Sequence, residues 1–244
     1  MTISPSVLAE LAPHGVLRAG INMSNFLLVT GTAPNGEPDG VSPDMARAIA
    51  GALGVPVKMV PYPRPGALAD AAGTDAWDIG LIGAEPARAE KIAFSAAYCE
   101  IQATYMVRES AGLSSIAAVD TPGVRIAVAD RSAYGLWLDR NITQATLMRM
   151  DGLGRATELF DEQKLEALAG LRPGLMADLP RMPGCRILEG QFTAVQQAIG
   201  TARANSAGAA FLADFAEHAK RSGLVAELIA RHKVAGLSVA PLAG

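Results

Sequence analysis

The sequence has few of the residue types that build metal centres and disulfide frameworks. Among its 244 residues are two cysteines, Cys99 and Cys185, and three histidines. The cysteines form no CxxC pair and the histidines lack the spacing of metal ligands, so we predict no metal site. A single bridge between Cys99 and Cys185 is compatible with the sequence but not required by it.

An excess of charge of one sign is also missing. The chain has 21 Lys and Arg against 24 Asp and Glu, a net charge of -3, and no run of five like charges. Because nucleic-acid binding depends on concentrated positive charge, nucleic acid is excluded as a main partner.

Long apolar segments are absent too. The longest apolar runs are far shorter than the roughly 18 residues of a membrane span, so we expect no insertion into a membrane. The opening segment MTISPSVLAELAPHGVLRAG has no basic start, unbroken apolar stretch or small-residue cleavage site, so no secretory signal is visible.

Apolar residues make up 50% of the chain, enough for a sizeable core. Short apolar runs alternate with helical patterns, which predicts an α/β fold with mainly parallel sheets flanked by helices. We expect buried strands at residues 15–22, 55–59 and 78–82. Ser42, Pro43 and Asp44 resemble an N-cap and first turn, so a helix is predicted from there to Leu53, with Gly54 ending it.

The same pattern restarts at Gly123, which favours a second βαβ lobe. Strands are predicted at residues 123–129, 145–150 and 166–171, and helices at 132–142 and 152–160. One or two closing helices are expected over residues 207–231.

The order of these landmarks resembles the family 3 extracellular solute-binding proteins. The segments that carry the resemblance are DGVSPDMARAIAGALGVPV, WDIGLIGAEPARAEKIAFSAAY and GVRIAVADRSAY. The resemblance implies the type II periplasmic-binding-protein architecture, with lobe 1 at residues 1–102 plus 191–244 and lobe 2 at 103–190. The chain would cross near residues 101–107 and 187–193 and close by a hinge on a ligand held between the lobes.

The resemblance also implies a role. Most members of the family bind amino acids for ABC transporters, so we expect a periplasmic, monomeric receptor component that delivers a small molecule to a permease, without a cofactor. Because no signal peptide is visible, a cytoplasmic metabolite-sensing domain is the alternative.

Arg88 is the principal candidate for the site. It matches the arginine that, in the family, precedes a Phe-Ser pair, here Phe94 and Ser95, and holds the ligand carboxylate. A guanidinium suits this role because it donates two parallel charge-assisted hydrogen bonds to a carboxylate. The alternative is a surface ion pair with Glu85 or Glu90.

Arg131 and Ser132 follow the first strand of lobe 2, where the family has a glycine and a hydroxyl residue. A backbone N–H and the Ser132 hydroxyl can meet the same anion there, and Ser132 can equally be a helix N-cap. Gly83 stands where the family has a hydroxyl donor, so Gly83 and Ala84 offer only backbone N–H groups.

Further candidates surround these positions. Asn22 and Asn25 align with the family's acidic residue and aromatic, although asparagine is also a common turn residue. Tyr62 and Tyr134 could cover an apolar ligand body. Gln197 lies in the return segment, where it could equally be an ordinary strand residue.

The family's aspartate for the ligand ammonium aligns with Leu171, which Arg172 follows. Because a buried ammonium without a carboxylate partner is unfavourable by several kcal/mol, we expect a carboxylate that is not a standard amino acid. Arg172, together with Arg88 and Arg131, could accommodate a dianion, or it could point to solvent.

An enzyme on the same architecture is the other alternative. The cyclohexadienyl and arogenate dehydratases use a carboxylate of the site, for which Glu85, Glu100 and Glu189 are the candidates here. The sequence contains no Ser-His-Asp set, P-loop or GxGxxG after a strand, so we expect binding without catalysis.

Overall fold

The computed structural model describes residues 3–243, which form two compact units. Unit 1 contains the described residues up to Glu100 and from Gln196 onward, and unit 2 is Ile101–Val195. Two long strands cross the boundary, β7 (Cys99–Arg108) and β12 (Thr193–Ala202). The lobes predicted from the sequence, residues 1–102 plus 191–244 and residues 103–190, concern which residues move together, and this stays a prediction.

Unit 1 has a sheet built around a parallel core. Its strands before the boundary are β1 (Leu17–Asn22), β2 (Gly31–Thr32), β3 (Pro38–Asp39), β4 (Val57–Tyr62), β5 (Ile79–Gly83) and β6 (Ile92–Phe94), and β13 (Ser238–Val239) closes the chain. β1 lies between β4 and β5 and is parallel to both. β12 is antiparallel to β5 and β6, and β2 and β3 form a separate small hairpin.

Six helices belong to unit 1: α1 (Pro5–Leu11), α2 (Val41–Leu53), α3 (Pro65–Asp70), α4 (Pro86–Ala89), α8 (Ser206–Arg221) and α9 (Leu224–Arg231). The predicted closing helices are confirmed as α8 and α9. α1, α3 and α4 were not predicted, since each spans at most seven residues and has no full helical repeat.

Unit 2 repeats the arrangement. Its strands are β8 (Arg125–Ala129), β9 (Thr146–Met150), β10 (Ala167–Leu171) and β11 (Cys185–Ile187), and its helices are α5 (Ala133–Asn141), α6 (Leu153–Glu162) and α7 (Arg172–Asp178). β8 lies between β9 and β10 and is parallel to both, whereas β10 and β11 are antiparallel to β7. The predicted α/β fold is confirmed; its central strands are parallel, and the crossing strands make the sheet mixed.

The two units share one ion-pair arrangement at the start of their first parallel strand. In unit 1, the backbone N, Nε and Nη2 of Arg18 donate to the Asp78 carboxylate over 2.7, 3.1 and 2.7 Å. In unit 2, the same three atoms of Arg125 donate to Glu166 over 2.8, 2.9 and 2.8 Å. Each pair joins two neighbouring parallel strands at their amino ends.

The predicted start of α2 is wrong by two residues. The N-cap is Gly40, at φ 145°, and Ser42 lies inside the first turn. A Cβ on Gly40 would lie 2.4 Å from the carbonyl oxygen of Leu28, so only glycine fits where the backbone of residues 28–30 passes the start of the helix. The Ser42 hydroxyl instead hydrogen-bonds the buried Tyr98 hydroxyl at 2.9 Å. The predicted end is confirmed, with Gly54 in the left-handed conformation.

Asp120 holds the turn between α5 and β9. Its carboxylate accepts hydrogen bonds from the backbone N–H groups of Thr143, Gln144 and Ala145, and from the Thr143 hydroxyl. Burial opposes ionisation, but these donors outweigh it and lower the pKa of Asp120 from 3.8 to about 2.

We expect Asp120→Asn to destabilise the protein at neutral pH by about 1 kcal/mol, a figure reduced for solvent screening. Because the folded-state pKa is depressed, the ionised carboxylate stabilises the fold above pH 4, and this contribution is lost as pH falls toward 2. Urea unfolding at a series of pH values measures it. A difference between wild type and variant that stays constant from pH 7 to pH 2 would contradict this account.

Candidate functional site

The polar edge of unit 1 lies where its parallel strands end. Asn22 ends β1 and Tyr62 ends β4, and the two are paired in the strand register. Gly83 ends β5 and pairs with Gln197 of β12. The structure therefore brings together the ends of the strands that carry the predicted residues, at the edge where open α/β sheets bind ligands.

Arg88 follows β5 in the short helix α4. The residue is 6% exposed, and its Nη1 donates to the carbonyl oxygen of Gly83 over 2.6 Å. This hydrogen bond ties the guanidinium to the end of β5. A guanidinium does not lose its proton, so unit 1 holds a permanent positive charge beside this strand end.

The two asparagines of the edge organise its loop. The Asn22 Oδ1 accepts from the N–H and the hydroxyl of Ser24, over 3.3 and 2.8 Å. The Asn25 Oδ1 accepts from the N–H of Leu27 over 3.2 Å, and Asn25 is buried. Both side-chain oxygens therefore make the Asx turns that were the alternative interpretation.

One of the two backbone donors predicted at the edge, the Ala84 N–H, is already engaged within the protein. The Ala84 N–H donates to the carbonyl oxygen of Gln196 over 2.7 Å, so the prediction that it is offered to a ligand is not supported by this geometry. Gln197 is a buried strand residue whose carbonyl accepts from the N–H of Tyr98.

Phe26 was missed by the sequence reasoning. It follows Asn25 in the loop after β1 and is 46% exposed, unlike the apolar residues of the core. The sequence signal that could have found it is an aromatic residue one position after Asn25, which aligns with the family's aromatic. Tyr62, the other aromatic of the edge, is partly buried and packs against the cluster of Leu68 and Trp77.

The turn after β8 is the corresponding feature of unit 2. Arg131 adopts φ 53°, a left-handed conformation that explains why glycine is usual there. The buried Ser132 is the N-cap of α5: its hydroxyl accepts from the N–H of Gly135 over 3.0 Å and donates to the carbonyl oxygen of Ala129 over 2.8 Å. The capping alternative is therefore observed, and the hydroxyl proton is directed into the turn.

Tyr134 lies in the first turn of α5 and is 3% exposed. Burial raises the pKa of its hydroxyl well above the usual range. A buried position does not support the predicted cover for a ligand body, and Tyr134 belongs to the core.

Arg172, directly after β10, makes hydrogen bonds that the sequence did not predict. Leu171 is buried as the last residue of β10. The Arg172 Nε donates to Gln102 over 2.9 Å, and its Nη2 donates to the carbonyl oxygens of Leu188 and Gly190. These bonds tie Nε and Nη2 of Arg172 to the protein, so they do not support the alternative of an arginine pointing to solvent.

Two carboxylates that the sequence patterns did not indicate follow strand ends in unit 2. Asp130 follows β8 directly and Asp151 follows β9. β8 and β10 pair with Leu168 opposite Ala127, and continuing this register places Asp130 level with Leu171. An acidic residue therefore stands level with the apolar Leu171 at the end of the neighbouring strand.

Within residues 3–243, one group of three potential metal ligands occurs outside these edges: Asp39, Asp44 and His232. Arg47 and Arg231 both donate to the Asp44 carboxylate, over 2.9 and 3.2 Å. Since two guanidinium groups already face this carboxylate, the arrangement is that of an ion-pair network that ties α9 to α2 and not that of a cation site.

A discontinuous α/β unit with a second βαβ unit inserted through two crossing strands defines the class of type II periplasmic-binding-protein folds. The chain belongs to the bacterial extracellular solute-binding proteins, family 3, whose sequence model matches residues 17–234. No curated protein sequence matches the chain. Among the residues described, no helix is both long and apolar enough to cross a membrane.

Solved structures show the same fold. A mutant of ArgBP from T. maritima is 20% identical, with a TM-score of 0.73 over 93% of this chain and 99% of that one. An amino acid ABC transporter substrate-binding protein from Streptococcus pneumoniae, bound to L-arginine, is 17% identical, with a TM-score of 0.72 over 97% and 100%. The ancestral amino acid-binding protein AncCDT-1, a precursor of cyclohexadienyl dehydratase, is 20% identical, with a TM-score of 0.72 over 92% and 97%.

Proposed function

We propose that the chain captures a small organic carboxylate and releases it unchanged, with the Arg88 guanidinium as the group that meets the carboxylate. The observation that carries this proposal is a buried arginine fixed to the end of a central parallel strand, in a member of a solute-binding family. A buried guanidinium is stabilised by anionic partners of fitting geometry, and a ligand carboxylate is such a partner.

Two other features of the protein favour particular parts of the proposed ligand. The exposed Phe26 offers an apolar face at the same edge, which suits a carboxylate with an aromatic or aliphatic body. In unit 2, the start of α5 after Ser132 offers backbone N–H groups and a helix dipole to an anion.

A standard amino acid is the second candidate, and a specific observation favours it. Asp130 stands level with Leu171 at the end of the neighbouring strand, where it could face an ammonium group. The similar solved structures include proteins described as binding amino acids. A carboxylate without an α-amino group is favoured over an amino acid because Leu171 is apolar and Asp130 is exposed to water.

Catalysis has weaker support than binding. Of the three glutamates considered, Glu100 accepts a hydrogen bond from the Gln196 side chain over 2.9 Å, Glu85 stands at the N-cap position of α4, and Glu189 is exposed. A general acid must lie within hydrogen-bond reach of the leaving group. Glu100 is held by the Gln196 amide and Glu189 lies at the surface, so a binding role has more support than catalysis.

The transport role follows from the family and is proposed here for this chain. Delivery to an ABC permease requires export, whereas a metabolite sensor works inside the cell. Fractionation of the native full-length product tests the choice: recovery in the periplasm supports the transport receptor, and recovery only in the cytoplasm supports the sensor.

A thermal-shift screen is the experiment that finds the ligand class. Each carboxylate is compared with the amino acid of the same carbon skeleton, for example 3-phenylpropionate with L-phenylalanine and glutarate with L-glutamate. A ligand present at about 100 times its Kd stabilises the folded state by roughly 2.7 kcal/mol, which is readily visible as a higher Tm. We expect shifts from carboxylates and smaller ones from their amino-acid counterparts. Tm shifts seen only with amino acids would favour the second candidate over the first. In that case, Asp130→Asn should abolish the shifts.

A further inference from the structure

Arg172 connects three parts of unit 2 through one side chain. It is the first residue of α7, directly after β10. Its Nε donates to the Gln102 side chain on β7, and its Nη2 donates to the carbonyl oxygens of Leu188, over 3.3 Å, and Gly190. The guanidinium therefore joins β7 to residues 188–192, the stretch before β12 that we call the crossing segment.

Further contacts of the crossing segment also lie in unit 2. The Leu188 N–H donates to the carbonyl oxygen of Tyr105 over 2.9 Å, and the Phe192 N–H donates to that of Ala103 over 3.1 Å. The Phe192 ring centre is 4.6 Å from that of Tyr105 and 5.4 Å from that of Trp137. Both ends of the crossing segment are therefore fixed to the strand and helix of this unit.

Both crossing strands change partners within a few residues. On β12, the Gln196 side chain donates to Glu100 over 2.9 Å, a contact inside unit 1. On β7, Glu100 pairs with Ser238 of β13, also in unit 1, whereas Gln102 is bonded to Arg172. The change from unit 1 to unit 2 partners thus falls between Glu100 and Gln102, and between Phe192 and Gln196.

We infer that Arg172 is a positioning residue that makes the crossing segment move with unit 2. The pivots between the units are then restricted to Ile101 and to residues 193–195. This narrows the predicted crossings at 101–107 and 187–193. A guanidinium is suited to the task because its planar fork donates to several carbonyl oxygens at once, which limits the freedom of a segment that contains a left-handed glycine, Gly190. The inference is independent of the identity of the ligand.

Hydrogen exchange on the unliganded full chain is the first test. Arg172→Met is compared with Arg155→Met, which removes an exposed arginine of the same unit that is paired with Glu158. We expect the Leu188 and Phe192 amides to exchange about tenfold faster in Arg172→Met and at the wild-type rate in the control, since local opening of the segment requires less free energy without the clamp. Unchanged exchange at both amides, or an equal rise throughout β8 and β10, would overturn the inference.

Distances between the units are the second test. Spin labels are placed at two exposed positions, Ser222 of unit 1 and Gln163 of unit 2, as Ser222→Cys and Gln163→Cys with Cys185→Ser. Cys99 can stay, because it is buried and burial raises the pKa of its thiol well above the usual range. Arg172→Met should broaden the distance distribution measured by pulsed dipolar spectroscopy, and Arg155→Met should not. A width equal to that of the control would show that the pivots are set elsewhere.

Discussion

Replacing Asp78 with alanine is expected to destabilise the protein by about 3 kcal/mol, the lower end of the range for breaking a buried ion pair. The Asp78 side chain is 3% exposed and that of Arg18 is 15% exposed, so the arginine is left in a poorly solvated position. Its remaining partner is Asp75, an exposed residue that screens the charge only in part. This is why the low end of the range applies. Urea denaturation measures the change.

Glu166→Ala is the matched control in the same chain. Arg125 and Glu166 make the same three hydrogen bonds, but their side chains are 40% and 27% exposed. Exposed pairs contribute little because water screens them, so we expect a loss of about 1 kcal/mol. Equal losses for the two variants would show that the shared geometry, and not burial, determines the energy.

Replacing Arg88 with alanine is expected to weaken ligand binding by roughly 2–5 kcal/mol, the range for truncating one partner of a buried charge pair. This corresponds to a loss of about 30-fold to several thousandfold in affinity. Arg88→Lys keeps the charge but loses the planar fork, so its affinity should lie between those of wild type and Arg88→Ala. Calorimetric titration with the strongest carboxylate from the screen measures all three.

Two controls make the Arg88 result specific. Arg221→Ala removes an exposed arginine on α8 of the same unit and should bind like wild type. Thermal unfolding checks that Arg88→Ala is folded, because the variant also loses the hydrogen bond to the Gly83 carbonyl. A folded Arg88→Ala protein that binds the carboxylate as tightly as wild type would remove Arg88 from the site.

Much of the fold could be predicted because its central strands are short apolar runs bounded by polar residues. β5 is buried along its whole length, and so is β10, which makes both recognisable without tertiary information. The start of α2 could not be predicted from local preference. Ser42 is a good N-cap in isolation, but the approach of the Leu28 backbone selects Gly40 for that position.

The sequence could place the candidate site residues near strand ends, but it could not show which hydrogen bonds they make. Arg88 was found through the family resemblance, and its burial and its tie to β5 are consistent with the proposal. The partners of Arg172 lie 16, 18 and 70 residues away in sequence, so no local pattern could show that its Nε and Nη2 are bonded within the protein. Asp130 was missed for the same reason, since its level relative to Leu171 depends on strand register.

Calorimetric titration of the wild-type protein with a carboxylate and the amino acid of the same skeleton tests the proposed function most directly. The pair 3-phenylpropionate and L-phenylalanine differs only in the α-ammonium group, so the ratio of their Kd values isolates its contribution. The apolar Leu171 and the buried Arg88 predict that the carboxylate binds at least about tenfold more tightly, a difference of roughly 1.4 kcal/mol. Tighter binding of the amino acid in this and the other matched pairs, reversed by Asp130→Asn, would contradict the account.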